Sequence, residues 1–130
     1  MVILLYSLFN KKIKKKNTPI EIQSILYKNF YSALTSIEKD LMLSIYELQI
    51  KQEQISIKAI NKIIGVQNKD VMTQNKNRSD YFLKINQKFK FATHKELPLI
   101  IKTRDELDKR QFNYGLQEAY IGELTFLKKK

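Results

Sequence analysis

Three segments of this 130-residue chain begin with a threonine followed three positions later by a glutamate: Thr18-Pro-Ile-Glu21, Thr35-Ser-Ile-Glu38 and Thr103-Arg-Asp-Glu106. At that spacing the hydroxyl accepts from the third following amide and the carboxylate reaches back to the capping residue, so each segment is set to start a helix. Pro19 reinforces the first, because its missing N–H costs nothing at the initial helical position. The pattern predicts a helix over about 19–33, with Ile22, Ile25, Leu26 and Phe30 inward. A second is predicted over about 36–51, where Ile37, Leu41, Ile45 and Leu48 share one face and Glu38, Lys39 and Glu47 lie off it. The third signal predicts a helix over about 104–119, interrupted at Gly115; Tyr120 to Leu127 reads alternatively as a strand.

Apolar residues make up 43% of the chain, near the usual fraction for folded proteins, and the length suits one core. There is no cysteine and one histidine, His94, so disulfides, thiolate metal sites and a Cys or Ser–His relay are excluded or poorly supplied. Three glycines cannot build a phosphate-cradling loop. No catalytic set, cofactor motif or metal-ligand spacing is present, and a non-enzymatic protein is expected. Asp105, Glu106 and Asp108 read as acids complementing a helix start.

The formal net charge is +11, and it is unevenly placed. Residues 11–16 (KKIKKK) carry +5, residues 128–130 carry +3 and residues 58–95 carry +7, while 17–57 and 96–127 each sum to −2. A basic middle with basic tails points to a polyanionic partner, nucleic acid before an anionic membrane. The opening MVILLYSLF is apolar at eight of nine positions but too short for a span, which takes about 20 residues. Its lysines follow the apolar run, the reverse of a secretory signal, so a cytoplasmic location is expected, nucleoid-associated if the partner is DNA. That segment reads as a buried strand, a dimer-forming piece or an interfacial anchor.

Residues 52–82 read QEQISIKAINKIIGVQNKDVMTQNKNRSDYF. Ser56 can cap a short helix over about 57–64, Gly65 can take the positive φ that ends it, and Asn68 can cap a second helix starting at once. Ile60 and Ile64 precede the glycine, Val66 follows it and Val71 lies six positions beyond. This stretch resembles a helix-turn-helix of the kind found in winged-helix DNA-binding domains, with Asn61 where the family usually has Ala and Gln74 where it often has an apolar residue.

From Tyr81 the odd positions Tyr81, Leu83, Ile85, Gln87, Phe89 and Phe91 alternate with Lys84, Asn86, Lys88 and Lys90, predicting a strand. Thr93-His94-Lys95 would turn the chain and put His94, without a role, at a hairpin tip. Leu97, Leu99 and Ile101 would return it as an edge strand marked by Pro98. A local alternative extends the helix to about Ile85 and leaves a strand over 88–92. The expected fold class is therefore mainly α with a small β-hairpin (α+β), a winged helix-turn-helix. Residues 1–17 form an apolar and basic N-terminal segment, 18–103 the winged-helix domain and 104–130 a C-terminal helix or strand extension with a basic tail.

The resemblance implies a second helix lying in the major groove, with Gln67, Lys69, Met72, Thr73 and Lys76 against bases. Lys58, Lys62, Arg78, Lys84, Lys88, Lys90 and Lys95 are then the phosphate candidates. The expected function is sequence-specific binding of double-stranded DNA, as a transcriptional regulator or a mobile-element or replication protein. A homodimer through the first helix or the C-terminal segment is expected with it. The alternative is a ribosome-associated or other RNA-binding structural protein, with Tyr81, Phe82, Phe89 and Phe91 stacking single-stranded bases and the lysine tails tracking rRNA.

Overall fold

The computed structural model describes residues 19–108 and 110–127, with side chains from Ile22 onward. The Thr18 capping signal, the N-terminal segment and the terminal lysines lie outside the described residues. Helix α1 spans Pro19–Ser32, α2 Ser36–Gln49, α3 Ile57–Ile63 and α4 Val71–Thr93; strands β1 (Ile100–Arg104) and β2 (Phe112–Leu116) form an antiparallel hairpin. A short α5 (Glu118–Ile121) and a 3₁₀ turn (Gly122–Leu127) finish the chain. The fold is mainly helical with one two-stranded hairpin, an α+β arrangement.

The helix starts at Thr35 and Ser56 form as their chemistry requires. Thr35 Oγ1 accepts from the Glu38 amide at 3.2 Å while Glu38 Oε1 accepts from the Thr35 amide at 2.8 Å, a complete capping box. Ser56 Oγ accepts from the Ala59 amide at 3.0 Å. At the end of α3, Gly65 has φ +77°, the Val66 amide reaches the Asn61 carbonyl at 2.9 Å and the Gly65 amide reaches that of Lys62 at 3.2 Å. These two bonds make a Schellman motif and use up carbonyls the helix end would leave unpaired.

Several sequence expectations are corrected here. Residues 81–91 are not a strand, and neither is 88–92: α4 continues to Thr93. The buried residues Phe82, Ile85, Phe89 and Thr93 are spaced by three, four and four, one face of a helix, whereas Leu83 and Phe91 of the supposed strand face are 56% and 84% exposed. The chain does turn at His94, but as a left-handed helix cap with φ 59°, not as a hairpin tip. Asn68 does not start α4, whose N-cap is Asp70. Leu97 and Pro98 precede the first strand. Thr103, expected to cap a helix over 104–119, sits inside β1, and Phe112–Leu116 of that segment form β2. Asp105 instead accepts from the Leu107 and Asp108 amides and shapes the hairpin turn. Residues 120–127 are helical turns rather than a strand.

The core forms where α1 meets the C-terminal half of α4 and the last turns, and α2 extends it against β2 and α3. Phe89 lies 5.5 Å from Tyr27, 5.2 Å from Phe30 and 5.0 Å from Tyr120 by ring centroids. Burying such rings stabilises through area and edge-to-face contacts. Ile25, expected inward, is 47% exposed, and Tyr27 is buried in its place. Glu38, expected off the core face, is 2% exposed and takes a 2.6 Å bond from Lys88 Nζ. Burial alone would raise the Glu38 pKa, yet the Lys88 ammonium and the Thr35 amide outweigh it and hold the carboxyl below its usual range.

Two side-chain amides fix the hairpin. Asn86 of α4 donates to the Ile100 carbonyl at 3.0 Å and accepts from the Ile100 amide at 2.8 Å. Gln49 of α2 donates to the Leu116 carbonyl at 2.9 Å and accepts from its amide at 2.7 Å. Ile100 and Leu116 are cross-strand partners, so both clamps grip one rung from opposite sides and satisfy its outward-pointing backbone groups. Gly115 permits the approach: a Cβ there would lie 3.2 Å from Gln49 Oε1.

Candidate nucleic-acid interface

The first turns of α4 stand away from the core. From Val71 to Asp80 no side chain is buried, and Val71 and Met72 are 68% and 80% exposed. This part of the helix is held at its base by polar contacts. Gln74 Nε2 donates to the Val66 carbonyl at 3.1 Å and to that of Gln67 at 3.4 Å, pinning the turn to the helix. Arg78 donates to Asn61 Oδ1 of α3 at 2.8 Å and to Asn75 Oδ1. Asn61 and Gln74 thus each have a structural use: buried Asn61 receives Arg78, and Gln74 ties down the carbonyls of the turn.

The residues expected at bases divide into two groups. Met72, Thr73 and Lys76 are on α4, with Met72 and Lys76 four apart on its outer face and Thr73 half-buried. Gln67 and Lys69 are not on the helix but in the exposed turn before it, because α4 starts at Val71. Thr73 also lies against Asp70, whose carboxyl is held below its usual range chiefly by the Thr73 hydroxyl.

Among the phosphate candidates, Lys58 and Lys62 are exposed one turn apart on α3, and Lys84 and Lys90 are exposed on α4. Lys88 is engaged by Glu38, Arg78 by two amide oxygens, and Lys95 follows the helix cap, half-buried. None of Lys84, Lys88, Lys90 and Lys95 belongs to the hairpin. The actual hairpin carries Lys102 and Arg104, two apart on one face of β1, with Phe112 of β2 opposite Arg104. Lys102 Nζ lies 4.1 Å and Arg104 Cζ 4.9 Å from the Phe112 ring centroid, close enough for cation–π attraction. Arg110 bonds Asp108 at 3.1 Å and holds that carboxyl below its usual range.

Lys102, Arg104, Arg110 and Phe112 were not expected at the site. The signal for them was the alternation Lys102-Thr-Arg104 and Phe112-Asn-Tyr114 about the turn-forming Asp105 and Asp108, masked by the helix-start reading of Thr103. Phe82 stacks on Tyr114 at 4.5 Å and brings this hairpin face against α4. The opposite face of the hairpin meets Gln49, Gln52 and Glu53 and carries no such cations.

Among the described residues, no cluster of three His, Asp or Glu could hold a metal ion, and no helix is long and apolar enough to cross a membrane. Phe89 is buried in the core and Phe82 is covered by Tyr114, so the aromatic set expected to stack single-stranded bases is not a sheet platform. No protein-family model, curated protein or solved structure matches the chain.

Proposed function

We propose that the protein binds duplex DNA sequence-specifically as a winged helix-turn-helix, with α4 as the reading helix and the β1–β2 hairpin as the wing. The observation carrying this reading is the run from Val71 to Asp80: three turns of helix without a buried side chain, beside a hairpin face bearing Lys102 and Arg104. A helix segment exposing Val71 and Met72 gains nothing from the core, and a major groove admits such a helix. Met72 and Thr73 offer methyl groups to thymine, and Lys76 and Lys69 donors to guanine. Lys58, Lys62 and Lys84 supply backbone contacts. Within this reading the protein serves as a transcriptional regulator or a replication or mobile-element protein.

Titration of duplexes over a range of salt tests it. With about six to eight phosphates neutralised, log K falls against log salt with a slope of about −5 to −7. Thr73→Ala and Lys69→Ala should erase preference among duplex sequences. Equal binding to structured RNA and duplex, or a slope near zero, would overturn the reading.

A homodimer belongs to the same proposal. The last turns of the C-terminal segment are spent on the core, since Tyr120, Leu124 and Leu127 are buried and Phe126 packs on Tyr31. That leaves α1, where Ile25 is 47% exposed. Sedimentation showing only monomer at micromolar concentration removes the dimer and leaves the DNA reading intact.

A further inference from the structure

Between the first turns of α4 and the hairpin lies a cavity of about 510 Å³, lined by Asn75, Arg78, Lys102, Arg110 and Phe112 among others. The surroundings of Arg78 set this cavity apart. Withdrawing a cation from water is costly unless a counter-charge compensates. Lys88, the other half-buried cation of α4 with a side-chain partner, has that compensation in Glu38. Arg78 has only the neutral oxygens of Asn61 and Asn75, and among the described residues it meets no carboxylate within ion-pairing distance. Its Nε is buried with no hydrogen-bond partner. The guanidinium is thus held in one orientation with its charge unneutralised and a donor unused.

Lys102 approaches from the facing strand. It also meets no carboxylate among the described residues and is positioned over Phe112. Arg110 enters from the end of the hairpin turn, with Asp108 beside it. Ile57, Val71 and Phe112 supply apolar wall next to these cations. Fixed guanidinium, ammonium and aromatic wall together match a phosphate attached to a flat or apolar group, and the volume is in the usual range of small-ligand sites.

We propose that this cleft is a nucleotide-phosphate site, in which Arg78 and Lys102 take the phosphate and Phe112 lies against the adjoining sugar or base. The phosphate comes either from the backbone of a bound duplex, in which case the proposal rests on the duplex reading, or from a free mononucleotide occupying the same cleft.

The test uses the full chain labelled with ¹⁵N, follows the Arg78 Nε–H resonance, and adds in turn a short duplex, adenosine 5′-monophosphate and inorganic phosphate. Lys102→Gln is the decisive variant because its side chain is exposed on a strand; Arg78→Lys is added with a thermal melt to confirm folding. For the backbone source, the duplex moves the Arg78 resonance. Lys102→Gln then weakens duplex binding about tenfold, equally for all sequences, and lowers the magnitude of the salt slope by about one. If the duplex binds wild type and Lys102→Gln with the same affinity and slope and the resonance does not move, the site is overturned while the duplex reading stands. If wild type fails to bind duplex, that reading falls. In that case a response to the mononucleotide that is lost in Lys102→Gln assigns the cleft to the free ligand, and no response to any probe overturns the site as well.

Discussion

The two halves of α4 are one continuous helix with opposite relations to the rest of the molecule. From Tyr81 to Thr93 it buries Phe82, Ile85, Phe89 and Thr93 and receives rings from α1 and the last turns; from Val71 to Asp80 no side chain is fully buried, and Gln74 and Arg78 steady it with polar contacts. A helix of this length is not stabilised evenly. Its tertiary packing comes from the C-terminal half, and backbone hydrogen bonding carries the helix onward into the N-terminal half. That frees the outer turns to carry side chains chosen for a partner.

The contrast can be broken first in the C-terminal half. Phe89→Ala removes a ring that meets three others, and the expected loss is about 3–5 kcal/mol in chemical denaturation. A loss under about 1 kcal/mol would show that this half is not the anchor.

Next in size is the ion pair that ties this half to α2. Lys88→Ala leaves Glu38 buried without its counter-charge, and because Lys88 is itself 33% exposed the expected loss is about 1–3 kcal/mol, below the figure for a fully buried pair. The pH dependence has a defined sign. The folded Glu38 carboxyl titrates below its usual value, so its stabilisation is complete above the ordinary glutamate range and is lost as pH falls through the lowered value. Denaturation midpoints of wild type should therefore drop more steeply than those of Glu38→Gln between about pH 5 and pH 3. Parallel curves would remove this contribution.

Asn86→Ala unclamps the hairpin from α4 and leaves the Ile100 backbone groups short of partners, at an expected cost of about 1–3 kcal/mol. Hydrogen exchange should rise at β1 and β2 before it rises at α1. Uniform acceleration over the whole chain would mean that the hairpin and core open as one unit.

The smallest stability effect is expected at the outer turns. Met72→Ala and Lys76→Ala should change folding stability by no more than about 0.5 kcal/mol while lowering duplex affinity. Stability changes above about 1 kcal/mol there, with binding unaltered, would reverse the contrast between the halves.

How far the chain was legible follows the range of the forces involved. The capping box at Thr35 and Glu38, the Ser56 cap and the glycine turn at Gly65 are complete within a few residues, and each formed as read. An identical local signal at Thr103 failed because pairing of Ile100–Arg104 with Phe112–Leu116, held by Asn86 and Gln49, outcompetes a single helix start. Ile85 and Phe89 fit strand alternation and helical spacing at once, being four apart and of one parity, whereas Phe82 and Phe89, seven apart, share a face only in a helix. Only the rings facing them decided between the two.

The sequence by itself determined the short-range features: where α2 and α3 begin, where α3 ends, and that a basic stretch follows α2. Tertiary structure decided which cations remain available to a partner. Lys88 is taken by a carboxylate fifty residues away, Arg78 is oriented but not neutralised by an amide on another helix, and Lys102 is brought to the same cleft as Arg78 by a hairpin whose alternation the Thr103 helix-start signal masked. Charge along a chain is a local property, whereas its neutralisation depends on which distant groups the core brings within a few ångströms.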